Sequence, residues 1–357
     1  MAGRFFRKGQ GASFLVFQTA KIGDMICTTP VFREIKAAYP GSRIGVVADS
    51  TSAIVLKNNP HVDEIIRVEN KRLKGFIGKL KLALAVRRKR YDTALILAPN
   101  VANILGAFWG GIPKRVVVCP DYTGGTLKEA LALNTDFEYH VAPRMVMETY
   151  LAALRHIGIN TKRGDKEVYV QPDAEAKYED ALKGPAIGLV LSAGNPFKQW
   201  GAEKFVSLAK KLLDATGHTV VMLGYERDRG AVVGLSATIK PDQRVLNYCG
   251  ATALEELPSV VKRLKLLIGV DTGLIYMADA FGVPVVDIAG PCDMNDQRPT
   301  GRFVRIISRN EMECVPCSHA FRAPYECSLG HRRCIEGISV EDVFRAAMNL
   351  LKESKGA

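Results

Sequence analysis

Residues 264–290 read LKLLIGVDTGLIYMADAFGVPVVDIAG. Leu264 to Val270 is an apolar run that stops at Asp271-Thr272-Gly273, an apolar helix-like segment follows, and a β-rich run from Val283 to Ile288 ends at Gly290-Pro291. Strand, tight polar turn, helix and strand in that order make the βαβ unit of a parallel sheet. The turn falls at the carboxyl end of a strand and the start of a helix, which is where open α/β sheets bind ligands. Backbone N–H groups there, with the positive end of the helix dipole, suit an anion and typically a phosphate. A plain capped helix start, with Asp271 or Thr272 as the N-cap, is the other reading of the same residues.

The alternation extends in both directions. Ser13–Phe17, Arg43–Val47, Ile65–Val68, Thr93–Leu97 and Val116–Val118 read as strands, with helices over 31–39 and 144–158 closed by Pro40-Gly41 and Gly158. Residues 160–183 are polar and charged and read as a linker holding a short strand, Val168–Val170. The pattern then restarts: strand Ala186–Leu191, helix 202–215, strand Thr219–Leu223, helix near 253–263 and strand Leu266–Val270. Two alternating halves predict an α/β chain of two doubly wound, Rossmann-like domains facing each other across a cleft, over 1–175 and 180–339. No close internal repeat relates them. The tail from Val340 is an amphipathic helix, and residues 340–357 are expected to pack back onto the first domain.

At 357 residues, with 47% hydrophobic and 24% charged residues, the chain has the size of two cores and the balance of a soluble globular protein. No run of about 18 apolar residues is present. The basic N-terminal segment, MAGRFFRKGQGASFLVF, lacks the apolar stretch and cleavage site of a signal peptide, which reads as cytoplasmic. The formal net charge of +12 is unevenly placed: residues 71–90, KRLKGFIGKLKLALAVRRKR, hold nine Lys or Arg and no acid. Phe76, Ile77, Leu80 and Leu84 recur there at helical spacing. Such a basic amphipathic helix suits an anionic membrane surface or a phosphorylated substrate; a solvated helix whose apolar stripe packs on the sheet is the simpler alternative. A nucleic-acid footprint would also be basic, but no helix-turn-helix, zinc-finger or aromatic RNA-binding signature accompanies it, so no nucleic acid is expected.

The turn after the first strand, residues 18–30, reads QTAKIGDMICTTP. It lacks the three glycines of the dinucleotide fingerprint, which disfavours a dehydrogenase. It does place a carboxylate, Asp24, at a strand-to-helix junction, where it could accept a proton from an attacking hydroxyl or simply stabilise the helix start. Here the chain resembles glycosyltransferase family 9, the ADP-heptose:lipopolysaccharide heptosyltransferases. GDMICTTP at 23–30 fits that family's G-D-x-x-x-T-x-P signature, and VDTGLIYMADAFGVPVV at 270–286 looks like its D-[TS]-G-L-x-H-x-A-x-A-x-x-x-P signature. SAGNPFKQWGAEKFVSLAKKL at 192–212 resembles its nucleotide-loop motif, in which a Lys precedes a Trp by two residues, and GYERD at 224–228 its Gly-x-x-Glu-type turn. The four matches run in family order over most of the chain.

The resemblance implies a GT-B fold, with the acceptor on the N-terminal domain and the sugar nucleotide on the C-terminal one, and an inverting, metal-independent transfer. It implies that Asp24 is the general base and that Lys198 neutralises the departing diphosphate. Thr272, Gly273 and Leu274 then offer N–H groups to the phosphates, Asp271 shapes their turn, Glu226 bonds the ribose hydroxyls and Ser192 lines the nucleotide loop. The chain departs from the family at Tyr276, where a His is usual, and at Cys292, where a hydroxyl residue is usual. Tyr276 can donate a hydrogen bond in place of that imidazole but cannot titrate near neutrality.

Four of the eight cysteines, Cys314, Cys317, Cys327 and Cys334, crowd the segment 314–334. C-x2-C followed by two more Cys is a candidate structural zinc site; reduced thiols packed in a loop and disulfides are the alternatives. The reading is therefore a peripheral enzyme on the cytoplasmic face of the inner membrane, needing no cofactor. It moves heptose from ADP-heptose to a hydroxyl of the lipid-linked lipopolysaccharide inner core, with 71–90 facing the anionic membrane surface. Another GT-B sugar-nucleotide enzyme, such as an epimerase, and a non-catalytic membrane-docked binding protein are the rival readings.

Overall fold

The computed structural model describes residues 11–120, 124–236 and 244–355. The first ten residues, which belong to the N-terminal segment judged above, lie outside them. The chain forms two compact units, residues 1–167 and 168–357.

In the first unit the elements run β1 (Ser13–Gln18), α1 (Ile22–Ala38), β2 (Arg43–Asp49), β3 (Glu64–Val68), α2 (Phe76–Lys89), β4 (Thr93–Ile96), α3 (Val101–Trp109), β5 (Lys114–Cys119), α4 (Gly125–Leu131), β6 (Asp136–Tyr139) and α5 (Val146–Ala153). Among the described residues the strands make one parallel sheet in the order β3-β2-β1-β4-β5-β6. Helices on both faces explain why β1 is apolar without alternation and buried at every position. α1 begins nine residues before the predicted start and runs through Pro30. The proline removes the N–H that Ile26 O would receive, and the Thr29 hydroxyl donates to that carbonyl instead, at 2.8 Å. α1 also holds the end of the unit. The Arg33 guanidinium donates to Arg163 O (2.9 Å), Asp165 O (2.8 Å) and the Glu167 carboxylate (2.8 Å), and Glu167 N–H donates to Thr29 Oγ1 (2.8 Å).

The second unit runs α6 (Pro172–Ala181), β7 (Ala186–Val190), α7 (Ala202–Ala215), β8 (Thr219–Leu223), α8 (Arg229–Ser236), β9 (Val245–Asn247), α9 (Leu257–Val261), β10 (Leu266–Val270), α10 (Gly273–Ala280), β11 (Val285–Ile288), β12 (Val304–Ile307), α11 (Arg333–Glu336) and α12 (Val340–Lys355). Its parallel sheet has the order β12-β11-β10-β7-β8-β9. Counted from the first strand of each unit, both sheets follow the 3-2-1-4-5-6 order of the doubly wound fold. The architecture repeats where the sequence does not.

Two expectations are corrected. The segment read as a linker with a strand at 168–170 has no strand there and holds α6, which Pro172 opens at the first helical turn with Asp173 and Glu175 beside it. The C-terminal helix does not belong to the first unit. Val343, Ala347, Leu350 and Leu351 of α12 are buried in one core with Leu208 and Leu212 of α7 and Ile288 of β11. Trp200 is part of that core, its indole N–H donating to Ile338 O at 2.9 Å. Among the described residues no helix is long and apolar enough to cross a membrane.

Candidate active site

In a 3-2-1-4-5-6 sheet the crevice opens where the strand order reverses, at the carboxyl ends of the first and fourth strands. In the second unit these are β7 and β10. After β7 the chain enters a short 3-10 turn, Pro196–Lys198, capped by Asn195, whose side-chain oxygen accepts from Phe197 N–H at 3.1 Å and whose amide donates to Pro324 O at 2.8 Å. Phe197 and Trp200 are buried on either side of Lys198. The lysine is thereby aimed across the crevice, and its Nζ donates to Asp271 Oδ2, at the end of β10, at 2.6 Å. Tyr276, one turn into α10, donates its hydroxyl to the other oxygen of Asp271 at 2.8 Å.

This group is electrically coupled. Burial alone would lower the Lys198 pKa, but the Asp271 carboxylate beside it holds the ammonium above the usual lysine range. Burial alone would raise Asp271, and the Lys198 ammonium and its hydrogen bond hold the carboxyl below the usual carboxylate range. Both stay charged. Cys292 lies against the pair; burial first, then the charge of Asp271, pushes its thiol well above the ordinary range, so it remains protonated and a poor nucleophile.

Asp271 is thus the counter-ion of Lys198 and not the helix cap. Thr272 is the N-cap of α10 by position and extended backbone, but its side chain makes no cap hydrogen bond. The first-turn N–H groups at Gly273 and Leu274 therefore have no side-chain cap, and both residues are half-buried just past Asp271, the partner of Lys198. Lys198, Asp271, Thr272, Gly273 and Leu274 come together at one switch point. Ser192, just after β7, and Glu226, just after β8, form a neighbouring group. Ser192 Oγ donates to Asp228 Oδ2 at 2.5 Å, which ties it down, whereas the Glu226 side chain is exposed, 3.9 Å from Arg229. Gly250, at φ +65°, leaves the space that Glu226 occupies, since a Cβ there would meet Glu226 Oε2 at 2.0 Å.

In the first unit the equivalent switch point lies between β1 and β4. Asp24 sits in the first turn of α1, partly exposed, and its Oδ2 accepts from Lys21 N–H at 3.1 Å. Beside it is a polar group the sequence reading missed: the amides of Asn103 and Asn100 donate to Thr19 Oγ1 at 2.8 and 3.2 Å, and Asn70 donates to Thr19 O at 2.7 Å. The available signal was Asn100 itself, an N-cap residue directly after an apolar strand. Asp287 was missed as well. It interrupts the buried run VVDI of β11, fully buried, and neither of its carboxylate oxygens has a hydrogen-bond partner. Burial, then the negative charge of Asp271, raises its pKa well above the carboxylate range.

All eight cysteines are free. Cys314, Cys317 and Cys327 lie near enough to Cys334 for their charges to act on it. Yet among the described residues no three His, Cys, Asp or Glu are placed to hold a metal ion, so the four thiols are not assembled into a zinc ligand set.

Two Rossmann-type units in one chain, the second with a buried lysine at its switch point, make a GT-B-type α/β fold. Solved structures of that architecture match almost the whole chain. A glycosyl transferase family 9 protein from Veillonella parvula DSM 2008 superposes with a TM-score of 0.79 at 22% identity, over 97% of this chain and 99% of that one. The E. coli ADP-heptose lps heptosyltransferase II gives 0.74 at 22% identity, over 96% and 99%. The chain belongs to glycosyltransferase family 9 (heptosyltransferase), whose sequence profile matches residues 79–325. Among curated proteins, lipopolysaccharide heptosyltransferase 2 of Escherichia coli (strain K12) is 27% identical over 308 residues, 82% of this chain and 87% of that protein.

Proposed function

We propose that this glycosyltransferase moves a heptose from ADP-heptose to a hydroxyl of the lipid-linked lipopolysaccharide inner core, with inversion at the anomeric carbon. The observation that carries the reading is the buried Lys198–Asp271 pair at 2.6 Å beside the uncapped first turn of α10. Lys198 has three N–H donors and Asp271 takes one. The pair therefore keeps a charged ammonium in a dry crevice before the donor arrives and leaves donors for a diphosphate. The N–H groups of residues 272–274 bind the same phosphates, and Glu226 bonds the ribose. In the reaction the acceptor oxygen forms a bond to the anomeric carbon while the bond to the β-phosphate oxygen breaks. Asp24 takes the acceptor proton and ADP leaves with the electron pair, its growing charge stabilised by Lys198.

The names of the related proteins, lipopolysaccharide heptosyltransferases, support a lipid-anchored acceptor, and with the exposed basic stretch 71–90 they favour a peripheral enzyme on the cytoplasmic face of the inner membrane, with 71–90 toward its anionic surface. The test separates base from helix cap. Asp24→Asn keeps an oxygen to accept from Lys21 N–H but cannot take a proton. Turnover with ADP-heptose and acceptor should fall by about 10²–10⁴-fold, while ADP affinity, read by calorimetry, stays within about threefold. Near-normal turnover in this variant would refute the role of Asp24, and no ADP release from any ADP-sugar in the native chain would refute the donor.

A further inference from the structure

Helix α2 carries two apolar faces, and the fold uses only one. Leu82, Ala83 and Val86 are buried against α3, where Gly106 and Gly110 leave room for them: a Cβ on Gly106 would lie 2.9 Å from Leu82 Cδ2 and one on Gly110 2.5 Å from Val86 Cγ1. The other face holds Phe76, Ile77, Leu80 and Leu84, which are 67%, 68%, 40% and 47% exposed. At about 100° per residue these four fall within an arc of about 100°. The stripe read in the sequence as suited to an anionic membrane surface or, alternatively, as packed on the sheet is the outward one. Phe76 stands edge-on to Trp109 at the end of α3, ring centroids 6.0 Å apart, so the aromatic surface continues onto the next helix.

The charge around this patch selects its occupant. Of the nine Lys and Arg in 71–90, all but Lys79 are exposed, and no acid interrupts them in sequence. Lys81 and Arg88 border the side of the apolar arc away from the buried face, and Arg87 extends it. Four large apolar side chains bordered by positive charge on an otherwise packed helix match a helix lying in the plane of an anionic bilayer surface, its apolar arc among the acyl chains and its cations at the phosphates.

We propose that the outer face of α2, with Trp109, is inserted into the anionic leaflet that carries the acceptor, so that the first unit docks on the membrane through Phe76, Ile77, Leu80 and Leu84. This rests on the reading above in one respect, that a lipid-linked acceptor puts the chain at a membrane.

The test uses the full chain and two sets of vesicles, phosphatidylcholine alone and phosphatidylcholine with phosphatidylglycerol in equal parts. The native chain should sediment with the second set and not the first, and less so as salt rises from about 0.1 M to about 0.5 M. Ile77→Ser/Leu84→Ser alters only exposed positions, so its ADP-induced thermal shift should equal that of the native chain while its partition onto anionic vesicles falls at least about tenfold. Lys81→Glu/Arg88→Glu should lose the preference for anionic lipid. Acyl-brominated lipid should quench Trp109, with Trp200, buried in the other unit, as the unquenched reference. Equal vesicle binding by the serine variant, or no quenching of Trp109, overturns the proposal. So does a stable dimer that the serine variant breaks in the absence of vesicle binding, which would make the face a self-association surface. A chain that binds vesicles but turns over no ADP-heptose sinks the transferase reading alone, and one that glycosylates a delipidated acceptor but ignores vesicles sinks this proposal alone.

Discussion

Asp287 is a carboxyl group in the middle of a buried strand with nothing to receive it. Its folded pKa is raised, so between the unfolded value near 4 and that higher value the native chain binds a proton that the unfolded chain has released. Stability must therefore fall as pH rises through that interval. Asp287→Asn removes the titration: denaturant unfolding should show little change near pH 4 and a gain of about 1–3 kcal/mol at pH 8. Lys198 has the opposite logic. Without it Asp271 is a buried, unpaired carboxylate, and Lys198→Met should cost about 3–5 kcal/mol at neutral pH. Asp271 has a depressed folded pKa, so its favourable contribution is complete above about pH 4 and lost as pH falls through the folded value. The penalty of Lys198→Met should accordingly shrink in acid, and Asp271→Asn in the same chain should restore part of the loss. Sequence reading named both residues, one for the diphosphate and one for the turn, but not their bond. The partners are 73 positions apart, and no local spacing encodes a contact made only when β7 and β10 become neighbours.

Among the elements, α2 shows how far periodicity goes. Both of its apolar arcs have helical spacing, and a period says that a face exists without saying what covers it. The deciding feature is on the partner helix, where Gly106 and Gly110 let Leu82 and Val86 approach. A Cβ on Gly110 would also meet the Gly106 carbonyl at 2.5 Å, and backbone cannot step aside as a leucine methyl can. Gly110→Ala should therefore destabilise the first unit by about 1–3 kcal/mol and Gly106→Ala by less, as read by thermal unfolding. The strands that went unread are β6, β9 and β12, and all lie at sheet edges. Edge strands are half covered, so their sequences, DFEY, VLN and VRII, lack the long apolar runs that marked the central strands.

At the scale of the whole molecule, each half of the alternation became a sheet, and the shared strand order was legible as a class although no repeat was visible. Packing only requires apolar strands in a given order, not the same residues twice. What the pattern could not assign was the last helix, because an amphipathic stripe fits any open sheet face, and α12 found the one beside α7. Each unit has its own core, and Arg33 and Thr29 keep residues 163–167 with the first. Residues 168–357 expressed alone should thus fold and bind ADP within about tenfold of the full chain while transferring nothing, which calorimetry and a transfer assay would check. The 3-2-1-4-5-6 order has a further cost during synthesis. Each sheet is begun at its centre and built outward on one side first, so β1, the strand SFLVFQ, has one hydrogen-bonding edge open when β2 and β3 are already in place. Its second neighbour, β4, leaves the ribosome roughly two dozen residues after β3, about one to five seconds later at ordinary elongation rates. During that interval this apolar edge is a template for other chains, so a strand that ends up buried at every position depends on chaperones while the protein is being made.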